Sequence, residues 1–188
     1  MKPTLPSGTN WRNAALAIGL ALLLSACGFH LRGSDGSYNL PFASVYINLP
    51  ASSPLAIDLK RNIRGTGATA IAADPAGADG VVEVISDPEA TRGKSILSLN
   101  NNGRVREYLL SYTIVFRVRD RKGNELLAPT QIGLTRPITF NETQLLAKET
   151  EEAQLYRDMR ADLVQQMMRR MAHIKPVLPA MSVAPAQL

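Results

Sequence analysis

Tyr108-Leu-Leu-Ser-Tyr-Thr-Ile-Val-Phe-Arg-Val-Arg119 decides the fold. Tyr108, Leu110, Tyr112, Ile114, Phe116 and Val118 alternate with Leu109, Ser111, Thr113, Val115, Arg117 and Arg119. One face is wholly apolar and the other largely polar, the pattern of a long strand that packs one side on a core. Upstream, Asn100-Asn-Asn-Gly103 makes a polar turn whose last two residues tolerate the positive φ of a tight hairpin. That turn joins the long strand to an apolar run at Ser95–Leu99. Downstream, after Arg121-Lys-Gly-Asn124, the residues Ile132, Leu134, Ile138 and Phe140 keep the two-residue period. Arg136 breaks that face, and Pro137 demands an edge position, a bulge or a strand end.

Working outward, Val45–Leu49 reads as a short strand bounded by Pro41 and Pro50. Ser52 or Ser53 caps the next element, with Pro54 in its first turn. Leu55, Leu59 and Ile63 then recur at helical spacing until Gly65 and Gly67 end a helix of about three turns. Val81–Ser86 is a β-branched run of strand length. A long helix spans roughly Leu146 to His173, with Tyr156, Met159, Leu163, Met167, Met171 and Ile174 forming its apolar stripe. Glu149, Glu151 and Glu152 lie near its start and Arg169, Arg170, His173 and Lys175 near its end, complementing the helix dipole. The expected fold is therefore an α+β (α/β) two-layer sandwich. Two helices pack on one face of a four- or five-stranded mixed sheet. Residues 176–188, with Pro176, Pro179 and Pro185 among small side chains, read as a flexible C-terminal tail.

The N-terminal end carries a different message. Lys2 and Arg12 precede an eleven-residue apolar run from Ala14 to Leu24, which leads into Leu24-Ser-Ala-Cys27. A membrane-spanning helix needs about 20 apolar residues, so this run is too short to cross a bilayer. A basic segment, a short apolar core and small residues before a cut site, in that order, mark a secretory signal. With cysteine at the cut, the pattern is a lipobox. Residues 1–26 are expected to be removed, leaving Cys27 as an acylated N-terminus that carries a diacylglycerol and an N-acyl chain. Gly28, rather than Asp, follows it, which favours sorting to the outer membrane, on its periplasmic side.

Composition narrows the function classes. The chain of 188 residues has one cysteine, so no internal disulfide forms. Its net charge of +5 is compatible with an anionic lipid partner. The basic residues are not interleaved with aromatics as a single-strand binder requires, and no nucleic-acid partner is expected. Catalysis lacks its vocabulary. The two histidines are His30, beside the anchor, and His173, at a helix end, and neither has a nucleophile and an orienting acid beside it. No cluster has metal-ligand spacing, and Glu149-Thr-Glu-Glu152 reads as a solvated first turn. Gly65-Thr-Gly67 follows a helix instead of opening one, so it is a stop and not a phosphate loop. No enzyme, metal or cofactor is expected.

Cys27-Gly-Phe-His-Leu-Arg-Gly33 resembles the mature start of the LptE family of lipopolysaccharide-assembly lipoproteins. Asn141-Glu-Thr-Gln-Leu-Leu-Ala-Lys148, followed by an acidic stretch and a long amphipathic helix to Arg170, is a second similarity. The Asn102-Gly103 turn leading into Glu107-Tyr108 looks like the family's central hairpin, so the likeness covers residues 27 to 174 within an expected domain at 27–175. The resemblance implies two helices on a four-stranded sheet and an outer-membrane anchor. It also implies a role as plug and assembly partner of the LptD β-barrel, which together insert lipopolysaccharide into the outer leaflet. Lipopolysaccharide binding in the family is attributed to basic residues at the hairpin tip and at the lysine of Leu-Ala-Lys. Lys148 matches the second position. At the first stands Asn101, with Arg104 and Arg106 the nearest bases. The rival readings are another envelope scaffold or barrel-associated lipoprotein of the same topology, and an envelope enzyme.

Overall fold

The computed structural model describes residues 38–175, together with the isolated position Asn13. The expected signal segment at 1–26, apart from Asn13, and Cys27, His30 and the tail at 176–188 lie outside the described residues.

Strand β1 (Ser44–Asn48) is followed by helix α1 (Pro54–Gly65), the two-residue strand β2 (Ala70–Ile71), and strands β3 (Gly80–Val84), β4 (Arg92–Leu99), β5 (Val105–Arg119) and β6 (Glu125–Thr139). A 3₁₀ turn at Glu142–Gln144 leads into helix α2 (Leu145–Ala172). β1 pairs in parallel with β3, and α1 supplies the long crossover that parallel pairing needs. β5 is the spine. It pairs antiparallel with β3 through Phe116–Arg119, with β4 through Val105–Tyr112, and with β6 along the whole opposite side. Thus β3 and β4 run along the same side of β5, and the six strands occupy five lanes. The sheet holds one strand more than expected, β2, which adds to β1; a two-residue strand offers no period to read.

The alternation in β5 works as its sequence demands. Leu110, Tyr112, Ile114, Phe116 and Val118 are all fully buried, facing both helices. β6 carries its two prolines where a missing N–H is tolerated. Pro137 sits on an edge strand, opposite Leu109, and Pro129 lies at a one-residue irregularity between the Phe116–Thr130 and Val118–Leu127 pairs. Arg136 shares the helix-facing side of β6 and reaches out to Asp162 of α2 at 2.9 Å, which is how a charge survives there.

In α1, Ser53 occupies the N-cap without a side-chain hydrogen bond and Pro54 opens the helix. The stop is made by the Thr66 hydroxyl, which donates to the Ile63 carbonyl at 2.7 Å, and by Gly67 at φ 69°. Leu55, Leu59 and Ile63 are fully buried. In α2 the expected stripe is present, with Val164 and Met168 widening it. Arg160 of α2 donates to Asp58 of α1 at 2.7 Å, and Gln165 donates to Asn62 at 2.9 Å, fixing the helices side by side. Because the helix begins at Leu145, its first turn contains no acid. The acidic run therefore begins just after the first turn instead of within it, and Glu151 and Glu152 are engaged in ion pairs with Lys148 and Lys94.

Candidate functional site

The β4–β5 hairpin tip is built by one asparagine. The Asn100 carboxamide oxygen accepts from the backbone N–H groups of Asn102 and Arg104, both at 3.0 Å. Gly103 closes the turn at φ 74°, a conformation that needs glycine; Asn102 does not share it. The backbone then places Arg104 and Arg106 on the strand leaving the tip. Arg104 reaches Glu142, ahead of α2, at 3.3 Å, with both side chains largely exposed. Arg106 has no ion pair among the described residues, while its carbonyl accepts the Phe140 N–H at 2.8 Å.

That last bond shows how the site is assembled. Register pairs Glu107 with Thr139 and Tyr108 with Ile138, so the end of β6 and the start of α2 arrive at the same end of the sheet as the hairpin tip. Tyr108 and Phe140 pack edge to face at 5.3 Å. Lys148, in the first turn of α2, donates to the Thr139 hydroxyl and to Glu151, each at 2.8 Å. Its side chain is only 18% exposed. Lys94 of β4 lies 4.5 Å over the Tyr108 ring and pairs with Glu152 at 2.5 Å. Lys94, Tyr108, Ile138, Phe140, Leu145 and Lys148 surround a small cleft of about 70 Å³. The structure thus gathers Lys148 and the two arginines at one end, not as one coordinating cluster: Lys148 and Arg104 each engage their own acid, and Arg106 has no ion pair among the described residues.

Exposed apolar side chains share this end with the cations and with Glu142, Glu149 and Glu152. Ile96, Leu97 and Leu99 of β4 and Leu145 and Leu146 of α2 are all exposed, Leu146 to 78%. Lys94 and the β4 trio escape a sequence reading, although a signal was present. Ile96 and Leu97 are adjacent, so both faces of β4 carry apolar side chains, which a half-buried edge strand does not require. Exposed cations beside exposed leucines and isoleucine can engage an amphiphile that carries phosphate, by charge-assisted hydrogen bonds on one side and apolar contact on the other.

Two other places are chemically distinct. A groove of about 720 Å³ runs between β4 and α2, where the Arg92 guanidinium lies between the Tyr112 and Tyr156 rings at 5.2 and 5.3 Å. Three of its four cations are compensated, Arg92 by Glu89, Lys94 by Glu152 and Arg160 by Asp58, while Arg157 donates to the Gln154 carboxamide oxygen. His173 sits at the end of α2 with Nδ1 2.7 Å from the Arg169 carbonyl, a helix-end role. Among the described residues no group of His, Cys, Asp and Glu is arranged to hold a metal, and no helix is long and apolar enough to cross a membrane.

The LptE family, described as lipopolysaccharide-assembly, matches residues 42–171. The solution structure of an uncharacterized lipoprotein B from Nitrosomonas europaea is 37% identical, covering 77% of this chain and 90% of that one, with a TM-score of 0.63. A minor lipoprotein from Acinetobacter baumannii is 26% identical over 71% of this chain and 94% of its own, with a TM-score of 0.55. The rare lipoprotein B of Shewanella oneidensis, 24% identical over 69% of this chain and 93% of its own, shares the fold at a TM-score of 0.58. None of the functionally curated proteins matches the chain. A family match that spans nearly the whole described domain, from Phe42 at the first strand to Met171 at the end of α2, places this chain in the LptE family of lipopolysaccharide-assembly proteins.

Proposed function

We propose that the chain is an outer-membrane lipoprotein, held on the periplasmic side through acylated Cys27, which plugs and helps assemble the LptD β-barrel. Together the two proteins insert lipopolysaccharide into the outer leaflet. Its work is binding and positioning, without catalysis and without a cofactor beyond the lipid on Cys27. The observation that carries this reading is the tip end of the sheet. There Arg104, Arg106, Lys148 and Lys94 stand among exposed Ile96, Leu97, Leu99, Leu145 and Leu146. Lipopolysaccharide presents phosphates beside acyl chains, so it matches such a surface in both respects. Lys148 also lies in the first turn of a 28-residue helix, where the dipole favours an anion.

The experiment is extraction of the protein from outer membranes in mild detergent, with identification of what stays bound. LptD is the expected companion. A different barrel or envelope scaffold as the main companion would overturn the assignment of partner, and absence of any companion would overturn the plug role.

A further inference from the structure

At the end of the molecule away from the hairpin tip, the C-terminal turn of α2 and the start of β6 enclose an open cavity of about 640 Å³. Leu126, Leu127 and Ile174 make its apolar part, and Arg169, Arg170 and Lys175 stand on its margin with His173. The irregularity at Ala128-Pro129 bends β6 where this cavity opens. Glu125 is the single acid in the lining. None of these charged residues is in an ion pair among the described residues, whereas Arg92, Arg104, Arg117, Arg119, Arg121, Arg136 and Arg160 all are.

Two basic residues in a last helical turn have an ordinary use, complementing the dipole. That use does not call for a cavity. Nor does it call for apolar walls beneath the cations. Charge complementarity asks for an occupant that is anionic at one end and apolar at the other. The segment 176–188, which follows directly, contains no Asp or Glu and so supplies no side chain to match the charge. The volume is that of a site for one small ligand, and is too small for a disaccharide bearing several acyl chains.

Position is compatible with a lipid of the anchoring membrane. The Tyr38 hydroxyl donates to Gln165 at 3.0 Å, four residues before Arg169 on the same face of α2. Tyr38 lies eleven residue steps after Cys27, and an extended chain of that length spans at most about 40 Å. That reach exceeds the roughly 30 Å of helix from Gln165 back to Leu145, so it allows the anchoring membrane to meet this end of the domain without selecting it over the other.

We infer that the cavity between the end of α2 and the start of β6 binds an anionic glycerophospholipid of the anchoring membrane, phosphate on Arg169, Arg170 and Lys175 and glycerol and proximal acyl carbons against Leu126, Leu127 and Ile174. It is a site separate from the tip, and it rests on the reading that Cys27 carries the lipid. It would orient the domain on its own leaflet, with the hairpin tip directed away from it.

The test is native mass spectrometry of the full acylated protein released from neutral-detergent micelles. The probes are dioctanoyl phosphatidylglycerol, dioctanoyl phosphatidylcholine and inorganic phosphate, offered separately. One phosphatidylglycerol adduct is expected, with phosphatidylcholine and phosphate retained far less. Loss of a charged hydrogen bond weakens binding by about tenfold or more, so Arg169→Gln with Arg170→Gln should abolish the adduct, while Arg64→Gln on α1 leaves it. Leu127→Asp tests the apolar wall independently, and thermal unfolding of each variant reports whether it remains folded. Equal retention of the two lipids, retention by the double arginine variant, or an adduct that forms only after removal of residues 176–188 would overturn the proposal. The same spectrum gives the mass at Cys27. An unacylated chain that still binds phosphatidylglycerol would refute the anchor and not the cavity.

Discussion

Lys148 already has partners, and that makes its proposed role sharp enough to refute. Its ammonium has three donors, of which Thr139 and Glu151 take two. Lys148→Asp removes an i,i+3 ion pair with Glu151, a contribution of about 0.2–0.5 kcal/mol, and sets a like charge in its place at a similar cost. Against this, an acid in the first turn of a helix gains about 0.3–1 kcal/mol from the dipole. The lost hydrogen bond to Thr139 adds about 0.5–1.5 kcal/mol, so the net change in stability should stay within about 2 kcal/mol, or about 4–8 °C in melting temperature for a chain of this size. Lipid capture should respond far more strongly. A hydrogen bond to a charged group contributes about 1.5–3 kcal/mol, so its loss weakens lipopolysaccharide capture by about 10- to 150-fold. Glu151→Gln should do the reverse, strengthening capture by releasing the ammonium from its competitor. The assay is capture of lipopolysaccharide by the purified protein, with thermal unfolding and LptD association measured on the same variants. Capture by Lys148→Asp equal to wild type would refute the reasoning and leave Lys148 an ordinary surface partner of Glu151. So would capture that weakens only in step with a large loss of melting temperature.

Other outcomes follow from the same coordinates. Leu163, fully buried where α2 meets the sheet, should cost about 2–5 kcal/mol when replaced by Ala, read as a lower urea midpoint with an unchanged slope. Burial pushes the Glu83 carboxyl up, but Arg119 and Arg117 outweigh it and hold the group below its usual range. A depressed carboxyl stabilises the fold above its unfolded pKa of about 4.3, and that stability is lost as pH falls through the lower folded value. Glu83→Gln should therefore flatten the acid limb of the stability profile below about pH 4–5; an unchanged limb would count against the pair. Intact-mass measurement of protein from membranes should find a chain beginning at modified Cys27, and a chain retaining residues 1–26 would remove the anchor from the proposal.

Local periodicity carried the architecture because each element states its own buried face. The alternation from Tyr108 to Val118 fixes a strand with one apolar side whatever its partners are, and the spacing from Met159 to Met171 fixes the helix stripe that covers it. Pro137 left an edge, a bulge or a strand end open, and the topology makes β6 an edge. The segment Leu24–Cys27 and the likeness to a known family are equally properties of the chain alone. Tertiary structure decided what depends on distant residues meeting. Nothing local in Ile96, Leu97 or Leu99 says that they stay exposed, since exposure depends on which strands fail to cover β4. No spacing brings Lys94 to Tyr108 and Glu152, or Arg104 to Glu142, because those contacts are set by strand register and by where α2 begins. The cavity beside Arg169 and Leu127 exists only because a helix end and a strand start, about forty residues apart in sequence, close on one space. Side-chain patterns encode burial one element at a time; a binding surface is what remains after the elements have packed, and only the packing reveals it.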